Sequence, residues 1–389
     1  LPYHVDVCTH LKRQEKGLWH WFMSDKFSTA DAESSKLELL KSCYRMGAES
    51  HAEVYQVAQE AADRLQIDCP ITLYQAQSSG GAPNAALYFF PDELCVVLSG
   101  PIFELLNPDE LRSLFGHEFS HHRLFTENGG EFFAAARLLQ WCAEQPDCHE
   151  AYVETARRYQ LHIELYADRG AAMVCNGPNA TISSLIKVST GLKTVAVSDY
   201  VEQAQEILSK DDSGTEGITH PEVYIRVKAL QDGAEEPANH ARLVRGKLDS
   251  GQLDILDQRE LATLTHNFAQ TVGADHDFRS DEHTVLMREF FPSFKWDDVE
   301  RSAKVLRGPI ADASDLTHTY LAYFLLDLST ADCDDSYPLL GPMLHFADSI
   351  GLHKRFDAVA RKELKLKKAD TEKAMRQFTR DGQGDHSNV

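Results

Sequence analysis

One helix is written into this sequence with both of its ends marked, and what it carries restricts the fold around it. Asn107-Pro108-Asp109-Glu110 opens it. Asparagine is a good N-cap, proline suits the first helical position, and Glu110 stands where a capping box puts its carboxylate. Asn128-Gly129-Gly130 closes it, so the helix is expected to end at about Phe125. Leu111, Leu114, Phe115 and Phe119 make it a buried helix. Yet His117, Glu118 and His121 sit among them. Burying two imidazoles around a carboxylate is too costly unless charged partners or a metal ion compensate.

The spacing says which compensation to expect. Residues four apart lie on one helical face, one turn from each other, so both imidazoles can reach a single ion. Glu118 projects to the side of that ion, where it can take a proton from a zinc-bound water. A catalytic zinc needs a third protein ligand and one open position. Glu164, in the helical segment expected from about Ala151 to Val174, is the candidate, with Asp168 one turn further on the same face to accept the free ring N–H of a ligating histidine. His162 is the competitor. It points to a different side of that helix, and only one of the two can face the metal.

Composition narrows the class. The formal net charge of -21 excludes the basic surface a nucleic-acid binder needs, and suits neutral or cationic ligands. Hydrophobic residues at 43% and charged residues at 25% describe a folded globular chain. No apolar run approaches the roughly 20 residues of a spanning helix, so membrane insertion is not expected. The N-terminal residues lack the apolar core of a signal peptide. The eight cysteines form no CxxC pair and read as reduced thiols of a cytoplasmic protein, with Cys142 and Cys148 left open as a bridge.

Around the marked helix the chain divides. Residues 29–67 read as helices, with Ser50 capping a stripe through Val54, Val57, Ala58, Ala61 and Leu65. Three extended runs, Ile71–Ala76, Ala85–Phe90 and Leu94–Ser99, are separated by turn chemistry at 78–81 and 91–93 and predict a small sheet. Further helices are expected at 131–145 and from Thr219-His220-Pro221-Glu222, a capping-box pattern, through Leu230. The 209–217 loop is polar and is a candidate lid. From 253 the sequence is helical, with runs at Asp254–Leu264, Glu282–Phe291, Asp297–Leu306, Leu316–Leu328, Leu340–Ile350 and Lys354–Leu366. The fold class is therefore α+β, followed by an all-α part. The expected division is an N-terminal helical extension (1–49), a domain at 50–235, a linker at 236–252, a helical accessory domain at 253–380 that offers a surface to a protein partner, and a disordered tail at 381–389. Asp332, Asp334 and Asp335 read as a solvated acidic turn.

Taken together, these motifs resemble a zinc metallopeptidase family of the gluzincin type, the one that includes the CAAX prenyl protease and the bacterial membrane protease HtpX. Pro83-Asn84-Ala85 precedes a strand, Asp109-Glu110-Leu111 leads to His117-Glu118-Phe119-Ser120-His121, Glu164 and Asp168 form ExxxD, and Thr219-His220-Pro221 is followed by Arg226. The likeness runs over roughly residues 50–235. It implies a mainly helical zincin-type domain holding one zinc ion through His117, His121 and Glu164. It implies that Glu118 is the general base, that His220 donates to the oxyanion and that Arg226 supports the site. An edge strand beginning at Asn84, Ala85 and Ala86 would pair with a polypeptide substrate. Two departures stand out: Ser120 replaces the family's glycine, which serine's small size should permit, and the spanning helices of the best-known members are missing. Residues 346–352, followed by a charged helix, faintly resemble TerB-like helical domains. The activity expected is that of a zinc metalloendopeptidase acting on flexible or unfolded polypeptide. The alternative is a zinc-containing binding or regulatory module with a latent site.

Overall fold

The computed structural model describes residues 2–24, 29–77, 81–211, 214–233, 237–299, 301–332 and 337–384. They form two compact units, Leu1–Gly246 and Lys247–Val389. The first holds α1 (Pro2–Gln14), α2 (Lys16–Ser24), α3 (Thr29–Ser42), β1 (Cys43–Arg45), α4 (Ala52–Arg64), β2 (Ile71–Ala76), β3 (Asn84–Phe90) and β4 (Glu93–Ser99). It continues with α5 (Ile102–Leu105), α6 (Pro108–Thr126), α7 (Glu131–Ala143), α8 (Glu150–Val174), α9 (Asn179–Thr190), α10 (Val197–Lys210), α11 (Val223–Asp232) and α12 (Pro237–Arg245). No helix among the described residues is long and apolar enough to cross a membrane.

The four strands make one sheet in the order β1-β2-β4-β3. β2 and β4 run parallel, with Leu73 opposite Val96, while β3 is antiparallel to β4 and forms an edge. Leu73, Leu94, Val96 and Leu98 point into a core completed by Ala58 and Ala61 of α4, by Leu65 just after it, and by Phe115 and Phe119 of α6. That core seats α6 against the sheet, and α8 crosses its other side. The α6–α8 contact is very close. A methyl group on Gly170 of α8 would lie 1.8 Å from the Ser120 hydroxyl oxygen, which itself donates to the Gly116 carbonyl at 2.6 Å. Serine is accommodated on α6 because the facing residue on α8 has no side chain.

Several local expectations are corrected. Residues 43–45 form β1, a strand too short to show alternation, paired with β2 through Tyr44 opposite Gln75. His51, not Ser50, occupies the N-cap of α4, and no side chain caps it. The segment 1–49 is not a mere extension. α1 buries Val7, Cys8 and Leu11, and Tyr3 stacks on His162 of α8 at 4.2 Å. The expected linker contains α12, whose His240 is buried and bonded to the Ala229 carbonyl. Cys142 and Cys148 are free thiols. The turn at 78–80, residues 212–213 of the polar loop, Asp334, Asp335 and the tail from 385 lie outside the described residues.

The second unit is all helical: α13 (Ile255–Val272), α14 (Asp281–Phe290), α15 (Arg307–Ala311), α16 (Asp315–Thr330), α17 (Leu340–Ser349), α18 (His353–Glu363) and α19 (Lys368–Gly384). Phe268, Phe324, Leu325, Met343 and Phe356 are among the residues of its core. The helix expected at Asp297–Leu306 is reduced to a single turn at Ala303–Leu306. The Gln270 side chain of α13 donates to the Lys295 carbonyl and accepts from the Asp297 N–H, which ties the start of this stretch to α13.

Two predictions follow from this packing. Gly170→Ala should cost about 1–3 kcal/mol through overpacking, and adding Ser120→Gly should restore most of the loss. Thermal or urea unfolding of the single and double variants checks this, and additive effects would contradict the close contact. The second concerns acid. His4 and His162 are buried, and burial pushes His4 well below its ordinary pKa and His162 down to about 3. The unfolded chain takes up these protons near pH ~6.5, whereas the folded chain resists them. Their contribution to stability is present above that pH and is lost as pH falls. His4→Phe should therefore lose less stability than the parent between about pH 7 and pH 5, as read by urea unfolding at both values.

Candidate metal centre

The N-terminus of α6 is built as its sequence demands. The Asn107 side chain accepts from the Asp109 and Glu110 amides, and Glu110 returns a bond to the Asn107 N–H at 2.9 Å. Glu110 also accepts from Ser183 and Lys187 of α9, so the buried cap carboxylate is fully engaged. This fixes the start of the helix and so its rotation about its axis. His117 and His121 consequently face the same side, their Nε2 atoms 3.2 Å apart.

α8 brings the carboxylates. Glu164 Oε2 lies 3.5 Å from His117 Nε2, and Oε1 lies 3.7 Å from His121 Nε2. One ligand atom from each of His117, His121 and Glu164 falls within 4.8 Å of the others. Glu164 is 2% exposed, and its Oε2 has no hydrogen-bond partner among the described residues. Two facing ring nitrogens and an orphaned carboxylate oxygen fit a single cation of the kind that takes nitrogen and oxygen ligands, zinc foremost. His162 is turned away into the cluster of Tyr3 and His4, because it lies two residues from Glu164 on the helix.

Behind this trio stands a charged brace. Asp168 Oδ1 is 3.0 Å from His117 Nδ1. A carboxylate can only accept there, so the Nδ1 proton points at Asp168 and the Nε2 lone pair is left for the cation. Arg226 of α11 grips Asp168 with two bonds, Nε to Oδ2 at 2.7 Å and a terminal nitrogen to Oδ1 at 2.6 Å, and reaches within 3.7 Å of Glu164. Burial alone would raise both carboxylates. The bonds and charges of Arg226 and His117 outweigh it at Asp168, and those of His117, His121 and Arg226 do so at Glu164, holding both below the usual range. Burial lowers His121 to about 4, whereas at His117 the two carboxylates overcome burial and raise it to about 10. A cation would replace the Nε2 proton of His117.

Glu118 lies on the sheet side. Its Oε2 accepts from the Leu87 amide of β3 at 2.8 Å, and burial raises its pKa. The backbone donor is Leu87, one residue beyond the Asn84–Ala86 segment singled out in the sequence. A main-chain amide has no signature there. Asn84 and Ala86 are exposed and Ala85 is half-buried at the start of this edge strand. Beyond His121, Phe125 joins Phe89 and Phe133 in an aromatic cluster with centroids 4.5–5.4 Å apart.

His220 is 60% exposed and extends Nε2 to 3.5 Å from Glu164 Oε2, with Thr219 Oγ1 2.9 Å from its Nδ1. The capping box expected at 219–222 does not form. α11 begins at Val223, and Glu222 at its N-cap turns its carboxylate back to the Thr215 hydroxyl and the Glu216 amide.

The competing ligand assignments separate by metal analysis. After loading and desalting, the parent chain and His162→Ala should retain about one zinc per chain, and His117→Ala and Glu164→Ala should lose it. Full retention by Glu164→Ala would remove Glu164 from the set.

Comparison with known proteins adds two similarities. The chain matches plastoglobule-localized metallopeptidase 48, chloroplastic, of Arabidopsis thaliana at 25% identity over 200 residues, 46% of this chain and 56% of the relative. The match thus spans little more than half of that protein. No solved structure matches. The family model of Peptidase family M48 matches residues 48–126, the stretch from before α4 to the end of α6 that includes His117, Glu118 and His121. Over residues 48–126 the chain is similar to Peptidase family M48.

Proposed function

We infer that this chain is a zinc-dependent endopeptidase that hydrolyses peptide bonds of flexible or unfolded polypeptides. The observation that carries the reading is the convergence of His117, His121 and Glu164 beside a buried Glu118 whose carboxylate touches an edge strand. The similarity to Peptidase family M48 supports the same reading. A pure binding scaffold has no use for the base.

In this reading His117, His121 and Glu164 hold the ion, which supplies Lewis acidity toward a water molecule and the substrate carbonyl. Asp168 and Arg226 keep His117 and Glu164 in the geometry that holds it. An extended substrate pairs with the outer edge of β3 at Asn84, Ala85 and Ala86, which favours unfolded segments and gives little sequence selectivity. Glu118 removes the proton from the attacking water. The same proton then passes to the leaving amine, so Glu118 serves first as base and then as acid. Its raised pKa makes it a stronger base than a solvated carboxylate. His220 donates from its exposed ring to the oxygen that becomes negative as the carbonyl carbon turns tetrahedral. The second unit acts as an accessory domain toward a protein partner.

Digestion of casein or of a peptide library tests the proposal. Glu118→Gln should retain zinc and lose about 10²–10⁴-fold in rate. A zinc-loaded parent as inert as Glu118→Gln across many substrates would leave the latent, binding-module reading in its place.

A further inference from the structure

His220 is exposed and sits in irregular chain, yet its position is fixed by a chain of contacts that begins on the metal-ligand helix. Arg157 lies on α8, seven residues before Glu164, which is about two helical turns along the same face. Glu154 grips its guanidinium with both carboxylate oxygens, at 2.8 Å to Nε and 2.7 Å to a terminal nitrogen. The other terminal nitrogen then donates to two backbone carbonyls of the loop before His220, Thr215 at 3.2 Å and Gly217 at 2.7 Å. Arg157 is 17% exposed at its side chain and Glu154 9%, so these bonds are largely shielded from water.

The same loop residues are held from other directions. The Thr215 amide donates to the Val244 carbonyl of α12, and the Glu222 carboxylate takes the Thr215 hydroxyl and the Glu216 amide. Gly217 passes the constraint on. A Cβ there would stand 2.1 Å from the His220 carbonyl oxygen, so the chain at 217 lies directly against the backbone of 220. His220 in turn reaches back to Glu164. The path from Arg157 through Gly217 to His220 and Glu164 therefore closes on α8.

We propose that Arg157, set by Glu154, is a positioning residue for His220: it registers the oxyanion donor against the metal ligand carried two turns along the same helix. The proposal rests on the role given to His220 above. It makes α8 a ruler with the loop clamp and the metal ligand at its two marks. Displacing a catalytic group by about 1 Å can cost on the order of 10²-fold in rate, and the loss of Arg157 leaves two loop carbonyls without their charged donor.

The test uses the full chain with zinc and compares Arg157→Ala, Arg157→Lys, His220→Ala and the double variant Arg157→Ala/His220→Ala. Arg157→Ala should keep its zinc, lower kcat about 10–100-fold and leave KM within about threefold. The double variant should be no slower than His220→Ala, because the clamp acts only through that ring. Arg157→Lys should recover part of the rate, since an ammonium can reach a carbonyl but cannot also take both oxygens of Glu154. Independently of turnover, amide hydrogen exchange in 214–222 should quicken in Arg157→Ala while α6 and α8 stay protected. Wild-type kcat in Arg157→Ala, losses that multiply in the double variant, loss of zinc, or unchanged exchange in 214–222 would each overturn the proposal. A slow His220→Ala beside a normal Arg157→Ala sinks the clamp alone. A normal His220→Ala sinks the oxyanion reading and the clamp with it.

Discussion

The close approach of α6 and α8 is the constraint on which the rest depends. The register of the two helices decides which side chains meet between them, and here the hydroxyl of Ser120 fills the space a side chain on Gly170 would need. Everything on the two facing surfaces follows from that register. His117 and His121 on one helix meet Glu164 and Asp168 on the other, and Arg226 from α11 joins behind them. A one-residue slip of either helix would rotate these groups out of reach by about 100°, since a turn takes 3.6 residues.

The electrostatics follow the same crossing. Two buried carboxylates and two imidazoles would not tolerate each other without a net positive contribution. Arg226 supplies part of it on the Asp168 side, and the facing Nε2 atoms leave room for a cation on the other. The neighbouring Glu118 is outside this brace. Its carboxylate has a backbone amide for a partner and no direct ion pair among the described residues, which is why burial raises its pKa while the two α8 carboxylates are lowered. In the proposed reading, adjacent acids are thus divided between holding a cation and moving a proton.

Much of this was legible because local rules and tertiary contacts agree along α6. Its cap, its apolar face and the spacing of His117 and His121 are all properties of one helix, and they fold as the spacing dictates. That Glu164 and not His162 turns toward His117 and His121 was also readable, because two residues along a helix turn a side chain to another face. What stayed hidden is what depends on partners distant in sequence. His162 is occupied by Tyr3, from a segment that reads as an extension. Gly170 looks like an ordinary helix glycine until Ser120 is placed against it. Glu222 fits a capping box by spacing, but its carboxylate is engaged by Thr215, so the N-cap falls at Glu222 instead of Thr219 and the helix starts three residues later. The Leu87 amide that holds Glu118 has no side-chain signal at all.

Everything proposed for the site turns on the ligand set His117, His121 and Glu164 around one ion. X-ray absorption at the zinc edge of the loaded chain measures that set directly. Expected is a shell of light atoms at about 2.0–2.1 Å with the multiple-scattering signal of two imidazoles. A third imidazole, or sulfur at about 2.3 Å, would contradict it.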